Sequence, residues 1–407
     1  MNVSTEPNAA ETVFLGLAPF LRASIAGLDL RPTAQQMLAE AQQHHEDAPL
    51  WMNLSVAMQC IGQHDVGLSI QAAALELQRI YALPATRQPR TLRLLVLMAP
   101  GDIAANTPID CLLENSTVDI VLYYVAPGDP LAQPIPEHDV LLVAISESDQ
   151  HRDLLTTLAA RLADWPQPVI NAPQHIPKVG RDAASALLHD APGIVMPPTL
   201  RATRAALQAL ADGAPVAAQF AHCDYPLIVR PYDSQAGRDL ARIEDAAQLA
   251  HYLTQVAAED FFLSRFIDYR SADGQFRKFR IALIDGRAYA CHMAVSAHWM
   301  VHYVNAGMYE DAAKRAEELR FMQDFAQFEQ RHQNALQAIH QRTGLDYLLL
   351  DAAETQDGDL LLFEIDHTMV VHAMDSEEMF PHKQVQIAKV QAAFEAMLQQ
   401  RVEVQHA

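Results

Sequence analysis

The stretch that most limits what this chain can fold into is DAAETQDGDLLLFEID, Asp351 to Asp366, with GLDYLLLD leading into it. Apolar runs on either side of an acidic, glycine-containing turn predict a β-hairpin. Its strands are expected over Tyr347–Ala352 and Leu360–Ile365, with the turn at Asp357-Gly358-Asp359. Glu364 and Asp366 are two residues apart, so the pleat sends both carboxylates to one face, and Asp351 is within cross-strand reach. Two readings are open. The hairpin is a solvated acidic turn, or its carboxylates share a hard divalent cation such as Mg2+, an ion that takes oxygen ligands and is commonly shared with phosphates.

Upstream, the chain divides by composition. At 407 residues it exceeds one ordinary core, and 50% hydrophobic residues suffice for two or three. Residues 1–88 read as helical, with apolar spacing of three and four over Leu15–Leu28, Thr33–Gln43, Leu50–Ile61 and Val66–Tyr81. Residues 91–175 alternate short β-rich runs (Leu92–Met98, Val118–Val125, Val140–Ile145, Val169–Ile170) with helical patterns, as in a small parallel α/β domain. Residues 176–402 hold a third region. Strands are expected there at Pro226–Arg230 and Phe261–Ile267, and a hairpin over Phe279–Leu283 and Ala288–Ala294. Helices are expected at Ala246–Ala257, across Ala312–Arg342 and over His382–Gln400.

A net charge of −21 argues against binding to a nucleic-acid backbone or an anionic membrane. The four cysteines have no CxxC spacing, so neither a zinc site nor a disulfide framework is expected. MNVSTEPNAAETVF lacks the blocks of a secretory signal and no apolar run reaches membrane-spanning length, so a cytoplasmic location is expected.

Taken in order, PLIVRP, SQAGRD, FLSRFID, FRKFRI and the DxxxxxxDGxxxxxEID hairpin resemble the ATP-grasp superfamily, and within it the RimK-like carboxylate–amine ligases. The resemblance covers about three quarters of the chain and implies an α/β (α+β) protein. An ATP-grasp catalytic domain would follow the small parallel α/β domain and the N-terminal helical region. Trp51, Leu54, Gly62 and Ala74 give that helical region a partial likeness to a tetratricopeptide repeat. It is read either as a cap on the next domain or as a docking surface for a protein or peptide partner.

The resemblance implies ATP and Mg2+ (or Mn2+) as cofactors, with Asp351, Glu364 and Asp366 as the metal ligands. Arg230 stands where the family has a phosphate-binding Lys, and Lys178 or Arg181 where it has another nucleotide-contacting base. Ser234 and Gly237 belong to the loop over the phosphates, which here has Asp239 at a position where the family commonly has glycine. The backbone of Arg265, Phe266 and Ile267 would read the adenine edge, with Asp268 accepting from the ribose. Lys278 and Arg280 alternate on one strand face as a phosphate clamp. Ser296, His298, Trp299, His302 and Asn305, in a segment rich in His and aromatics, would line the acceptor pocket for a small molecule or peptide. Asp366 replaces the family's usual Asn.

The implied reaction phosphorylates a carboxylate, and an amine then attacks the acyl phosphate to release ADP and phosphate. Two other classes remain: a nucleotide-binding interaction protein with a helical docking arm, and a kinase of the same fold. Neither the substrates nor the oligomeric state can be read from the sequence.

Overall fold

The structure, a computed structural model, describes residues 12–406 apart from 233, 235 and 236. It divides into two units, each built around its own sheets. The first comprises Met1–Ile176, Leu345–Tyr347 and His367–Ala407; the second comprises Pro177–Gly344 and Leu348–Asp366. Residues 1–11, the start of the stretch inspected for a secretory signal, lie outside the described residues.

In the first unit the strands are β1 (Ile80–Leu83), β2 (Leu92–Met98), β3 (Val118–Tyr124), β4 (Val140–Val143) and β5 (Val169–Ile170), in the order β1-β3-β2-β4-β5. β2 to β5 pair in parallel, as their alternation with helices predicts, and their near-continuous burial suits a sheet covered on both faces. β1 runs antiparallel to β3, in a stretch whose spacing predicts helix. The predicted helix Val66–Tyr81 stops at Leu77 because Gln78 turns extended (φ −152°), and Tyr81 buries its ring against Phe14 and Tyr124. Among the described residues four helices precede that strand: Ala18–Ile25, Arg31–Ala41, Ala48–Cys60 and His64–Leu77. The first is tied to the sheet domain by Asp110, whose Oδ2 accepts from the N–H of Leu17 (2.5 Å) and Ala18 (2.8 Å), two of the donors a helix start leaves unmatched.

The C-terminal helix, Pro381–His406, belongs to this first unit, whereas its sequence position suggests the third region. Its packing gives the reason. Phe394 is fully buried against Tyr347 (5.0 Å), and Glu395 Oε1 accepts from the N–H of Thr117 at 3.0 Å.

The second unit holds two sheets. β7 (Leu200–Thr203), β8 (Leu227–Pro231), β9 (Ala241–Ile243) and β10 (Asp260–Arg265) form an antiparallel sheet in the order β7-β10-β8-β9. β6 (Ile194–Val195), β11 (Phe276–Ile284), β12 (Arg287–Ser296), β13 (Tyr347–Glu354) and β14 (Leu360–Asp366) form the other, ordered β12-β11-β13-β14-β6. The two predicted hairpins are β11–β12 and β13–β14. The short strands β6, β7 and β9 and the helix Arg204–Ala211 are additions to the expected elements. The helical stretch expected over 312–342 is three helices, Ala312–Gln323, Phe325–Arg331 and Gln333–Thr343. They break at Asp324 and His332, where ψ rises to 18° and 14°. The breaks let Phe321 and Phe328 both pack on Phe279 of β11.

Candidate functional site

Every residue singled out for chemistry falls in the second unit. On β11, Lys278 and Arg280 are two apart and share a face, as the period of a strand requires. β13 lies next to β11 and brings Asp351 against them. The Arg280 guanidinium donates in a fork to the two carboxylate oxygens, Nε to Oδ1 at 2.9 Å and Nη2 to Oδ2 at 3.1 Å, and Lys278 Nζ stands 2.7 Å from Oδ2. Asp351 is 3% exposed. Burial alone would raise its pKa, but Arg280 and Lys278 outweigh burial and hold the carboxyl well below the usual range. Burial likewise works against the charge of Arg280, and Asp351 more than offsets it.

Both hairpins are irregular at these charges. The β11–β12 register shifts between Arg280 and Ile281, and the β13–β14 register between Asp351 and Ala352. Each shift adds one residue to the partner strand and re-aims the side chains beyond it, a device common beside functional sites.

The antiparallel register sets Glu364 opposite Asp351 and Asp366 opposite Leu349, so the three carboxylates share one face of the hairpin. They do not converge on a common point. Asp351 is held by its two cations, and Glu364 is bridged to Arg181 at the start of the helix Arg181–Leu188. Among the described residues no three His, Cys, Asp or Glu side chains are grouped closely enough to hold a metal ion. In kind the donor set fits a hard divalent cation, with carboxylate oxygens presented from one face. In the arrangement seen, protein cations supply the charge such an ion would bring.

Of the two candidate bases, only Arg181 stands with these carboxylates. The Lys178 ammonium donates to the carbonyls of Arg342 (3.2 Å) and Thr343 (2.9 Å). Those carbonyls end the helix Gln333–Thr343, where unmatched acceptors favour a cation.

The first sheet of this unit contributes Arg230, near the end of β8 and 8% exposed. Burial, then the Arg181 charge, pull its pKa down to about 10, which still leaves it charged at neutral pH. It donates to Ser234 twice, through Nε to Oγ at 3.1 Å and through Nη2 to the carbonyl. Ser234 therefore anchors the start of the predicted phosphate loop; Gln235 and Ala236 of that loop lie outside the described residues. Gly237 has φ 71°, and a Cβ built there would collide with His302 Nε2. A side chain there would be strained by the backbone and would force the His302 ring to shift. Asp239 also has positive φ (55°), so an aspartate holds the left-handed conformation where glycine is expected; its carbonyl accepts from Tyr252 Oη at 2.7 Å.

The strand expected to read a base edge ends at Arg265. Phe266 N–H donates to the Pro226 carbonyl at 2.9 Å, so it is committed within the protein and not left for a ligand. The Phe266 ring lies under the Arg242 guanidinium (4.1 Å) and edge-on to Trp299 (5.8 Å). Ile267 follows the strand and packs beside a cluster that includes Tyr269 and Phe276. Asp268 Oδ1 accepts from Arg270 N–H at 3.0 Å and caps its own loop.

Among the acceptor candidates, Ser296 is buried at the end of β12 and its Oγ accepts from His298 N–H (3.1 Å). His302 and Asn305 bracket one turn of 3-10 helix, with His302 N–H donating to Asn305 Oδ1 at 3.0 Å. Burial, then the Lys278 charge, keep the His302 pKa below its ordinary value.

Sequence reasoning missed Glu318, a fully buried carboxylate on the helix Ala312–Gln323. It accepts from Met293 N–H of β12 (3.1 Å) and Tyr303 Oη (2.9 Å), tying the acceptor segment to the sheet. Charged residues fall all around its helix, which gives no sign that one carboxylate turns inward.

Four cations (Arg181, Arg230, Lys278, Arg280) thus stand with three carboxylates in a chain of net charge −21. Several solved proteins are similar to this chain. A D-alanine–D-alanine ligase from Bacillus anthracis, solved with ATP, is 15% identical, with 74% of this chain and 99% of that chain covered at TM-score 0.42. A RimK-domain ATP-grasp protein from Sphaerobacter thermophilus is 17% identical, with coverage of 74% and 99% and TM-score 0.38. A D-alanyl-alanine synthetase A from Vibrio cholerae is 14% identical, with coverage of 78% and 98% and TM-score 0.45. No protein-family model and no curated protein matches the chain. No helix among the described residues is long and apolar enough to cross a membrane.

Proposed function

We propose that the second unit binds ATP and uses it to join a carboxylate to an amine. The observation that carries this reading is the cation set gathered around the Asp351–Glu364 face, which suits a triphosphate and the charge it develops during transfer. Arg230 and Lys278 would hold phosphate oxygens, and the Arg280 fork, fixed by Asp351, would keep the clamp in register. A substrate carboxylate oxygen forms a bond to the γ-phosphorus while the bridging P–O bond breaks and ADP leaves. The amine nitrogen then bonds to the acyl carbon, the C–O bond to phosphate breaks, and inorganic phosphate departs. His302, whose pKa burial holds below its ordinary value and which lies beside the loop at Gly237, would take the proton the amine gives up. Asp351, Glu364 and Asp366 would hold a divalent ion, which when bound supplies Lewis-acid neutralisation of the phosphate oxygens. The helices before β1 would serve as a cap or as the dock for a protein or peptide.

ADP release with ATP and Mg2+ across a pool of amino acids and dipeptides tests this, beside the Asp351→Ala/Glu364→Ala variant. Substrate-dependent ADP with a new amide in the mass spectrum, lost in the variant, supports the ligase. A phosphorylated product without an amide replaces it with a kinase. A second reading, nucleotide binding without turnover, is favoured by the ion pairs that already engage Asp351 and Glu364. Calorimetric ATP binding with no product from any substrate pair supports that reading, and no ATP binding removes both.

A further inference from the structure

Residues 12–17, just ahead of the helix Ala18–Ile25, belong to no helix or strand, yet the first unit holds them closely. Their side chains alternate as in an extended chain. Val13 and Leu15 are 64% and 42% exposed, whereas Phe14 is buried with its ring 4.9 Å from that of Tyr81 on β1. One side chain takes the backbone edge between them: Asn53 Oδ1 accepts from Leu15 N–H at 2.8 Å, and Asn53 Nδ2 donates to the Val13 carbonyl at 2.9 Å. Thr12 Oγ1 donates to Asp47 Oδ2. Gly16, at φ 76°, passes so near Asp110 that a Cβ there would stand 2.6 Å from its Oδ2.

Asn53 is 1% exposed on the helix Ala48–Cys60, where a carboxamide is costly unless its donor and acceptor are both used. Residues two apart in an extended chain turn their backbone groups to the same edge, so Asn53 reads residues 13 and 15 as a neighbouring strand would, whatever their side chains. Sequence preference comes from the recess for Phe14 and the close passage at Gly16. These are the terms on which a groove holds an extended peptide. We propose that the groove between the helix Ala48–Cys60 and β1 is a peptide-binding site, with residues 12–17 as its tethered occupant and Asn53 as its backbone clamp. The partner it takes is an extended segment of the same chemistry: a hydroxyl residue, an aromatic two places on and a glycine two places after that. The tether presents the chain's own segment at an effective concentration on the order of millimolar, so a free segment enters where that occupant is loosened or outcompeted. The site concerns the first unit alone and stands whether or not the second unit takes ATP.

The test is fluorescence anisotropy of a labelled peptide with the sequence of residues 11–17, titrated with the full chain. Wild type, its groove filled, should bind it weakly. Leu15→Pro removes the N–H that Asn53 accepts and leaves the groove untouched, so it should bind the peptide about tenfold or more tightly than wild type. Phe14→Ala, which empties the recess, should do the same and melt at a higher temperature with the peptide than without it; this variant carries the test if Leu15→Pro does not fold. Adding Asn53→Ala to the opened chain, or replacing the phenylalanine of the peptide by alanine, should weaken binding about tenfold or more. Folded variants that bind the peptide no better than wild type overturn the proposal. Binding indifferent to Asn53 and to the peptide's phenylalanine is adsorption elsewhere and overturns it too. If neither variant folds, residues 12–17 are part of the fold and not a ligand of it, and the proposal falls.

Discussion

Replacing Asp351 by Asn should be among the most damaging single changes in the second unit. The substitution keeps the shape and removes the buried charge that two partly buried cations face at 2.7–3.1 Å. Lys278 and Arg280, both in contact with one carboxylate, lie on the order of 5 Å apart, so at an effective dielectric of about 20 their exposed repulsion is about 3 kcal/mol. Weakened charge-assisted hydrogen bonds add to this, giving a loss of about 3–5 kcal/mol, the range for breaking a buried pair on one side. Urea unfolding followed by fluorescence, with Trp51 and Trp165 changed to Phe, leaves Trp299 to report on this unit. Removing all three charges together (Asp351→Leu, Lys278→Met, Arg280→Met) should recover most of the loss, to within about 2 kcal/mol of wild type. The depressed pKa fixes the pH behaviour. A carboxylate whose folded pKa lies below its unfolded value of about 3.9 contributes in full above that value and loses its contribution as pH falls through the folded pKa. The gap between wild type and Asp351→Asn should therefore stay constant from pH 8 to about pH 5 and close only in strong acid. A loss below about 1 kcal/mol, or a gap that closes near neutrality, would refute the charge argument.

Other expectations follow from single contacts. Gly237→Ala should weaken ATP binding, since positive φ costs about 1–2 kcal/mol and the new methyl meets His302; pairing it with His302→Ala in calorimetric titrations should restore the steric share only. Lys178→Met should leave ATP affinity unchanged and cost about 1 kcal/mol of stability as a lost helix cap, whereas Arg181→Met should alter binding. Asp110→Ala should cost about 2–3 kcal/mol in urea unfolding of the first unit by stranding two N–H groups. Asp110→Asn, which keeps an acceptor, should cost under about 1 kcal/mol.

The hairpin Tyr347–Asp366 and the cation pair on β11 are legible because strand period and turn chemistry are local properties of the sequence. What is not legible depends on distant partners. Whether Lys178 serves a ligand or a helix end is decided by where residues 342 and 343 come to lie, and no spacing near Lys178 carries that. The sequence makes the three carboxylates look gathered around a cation because their repulsion is visible in it, while the pairing of Asp351 with the cations of β11 and of Glu364 with Arg181 is not. The strand at Ile80–Leu83 continues an apolar helical pattern, and only its pairing with β3 reveals it. In the helix Ala312–Gln323, charges spread around the axis hide the one carboxylate that turns inward.

The register shift beside Asp351 has a practical side. It sits between the charged end of the β13–β14 hairpin and its tip, where Gly358 has open space around it. A peptide tag or fluorescent reporter spliced in at Asp357-Gly358 would lengthen the free end without sliding Glu364 past Asp351. This sheet can therefore be labelled within a few residues of its chemistry and still keep its charges in step.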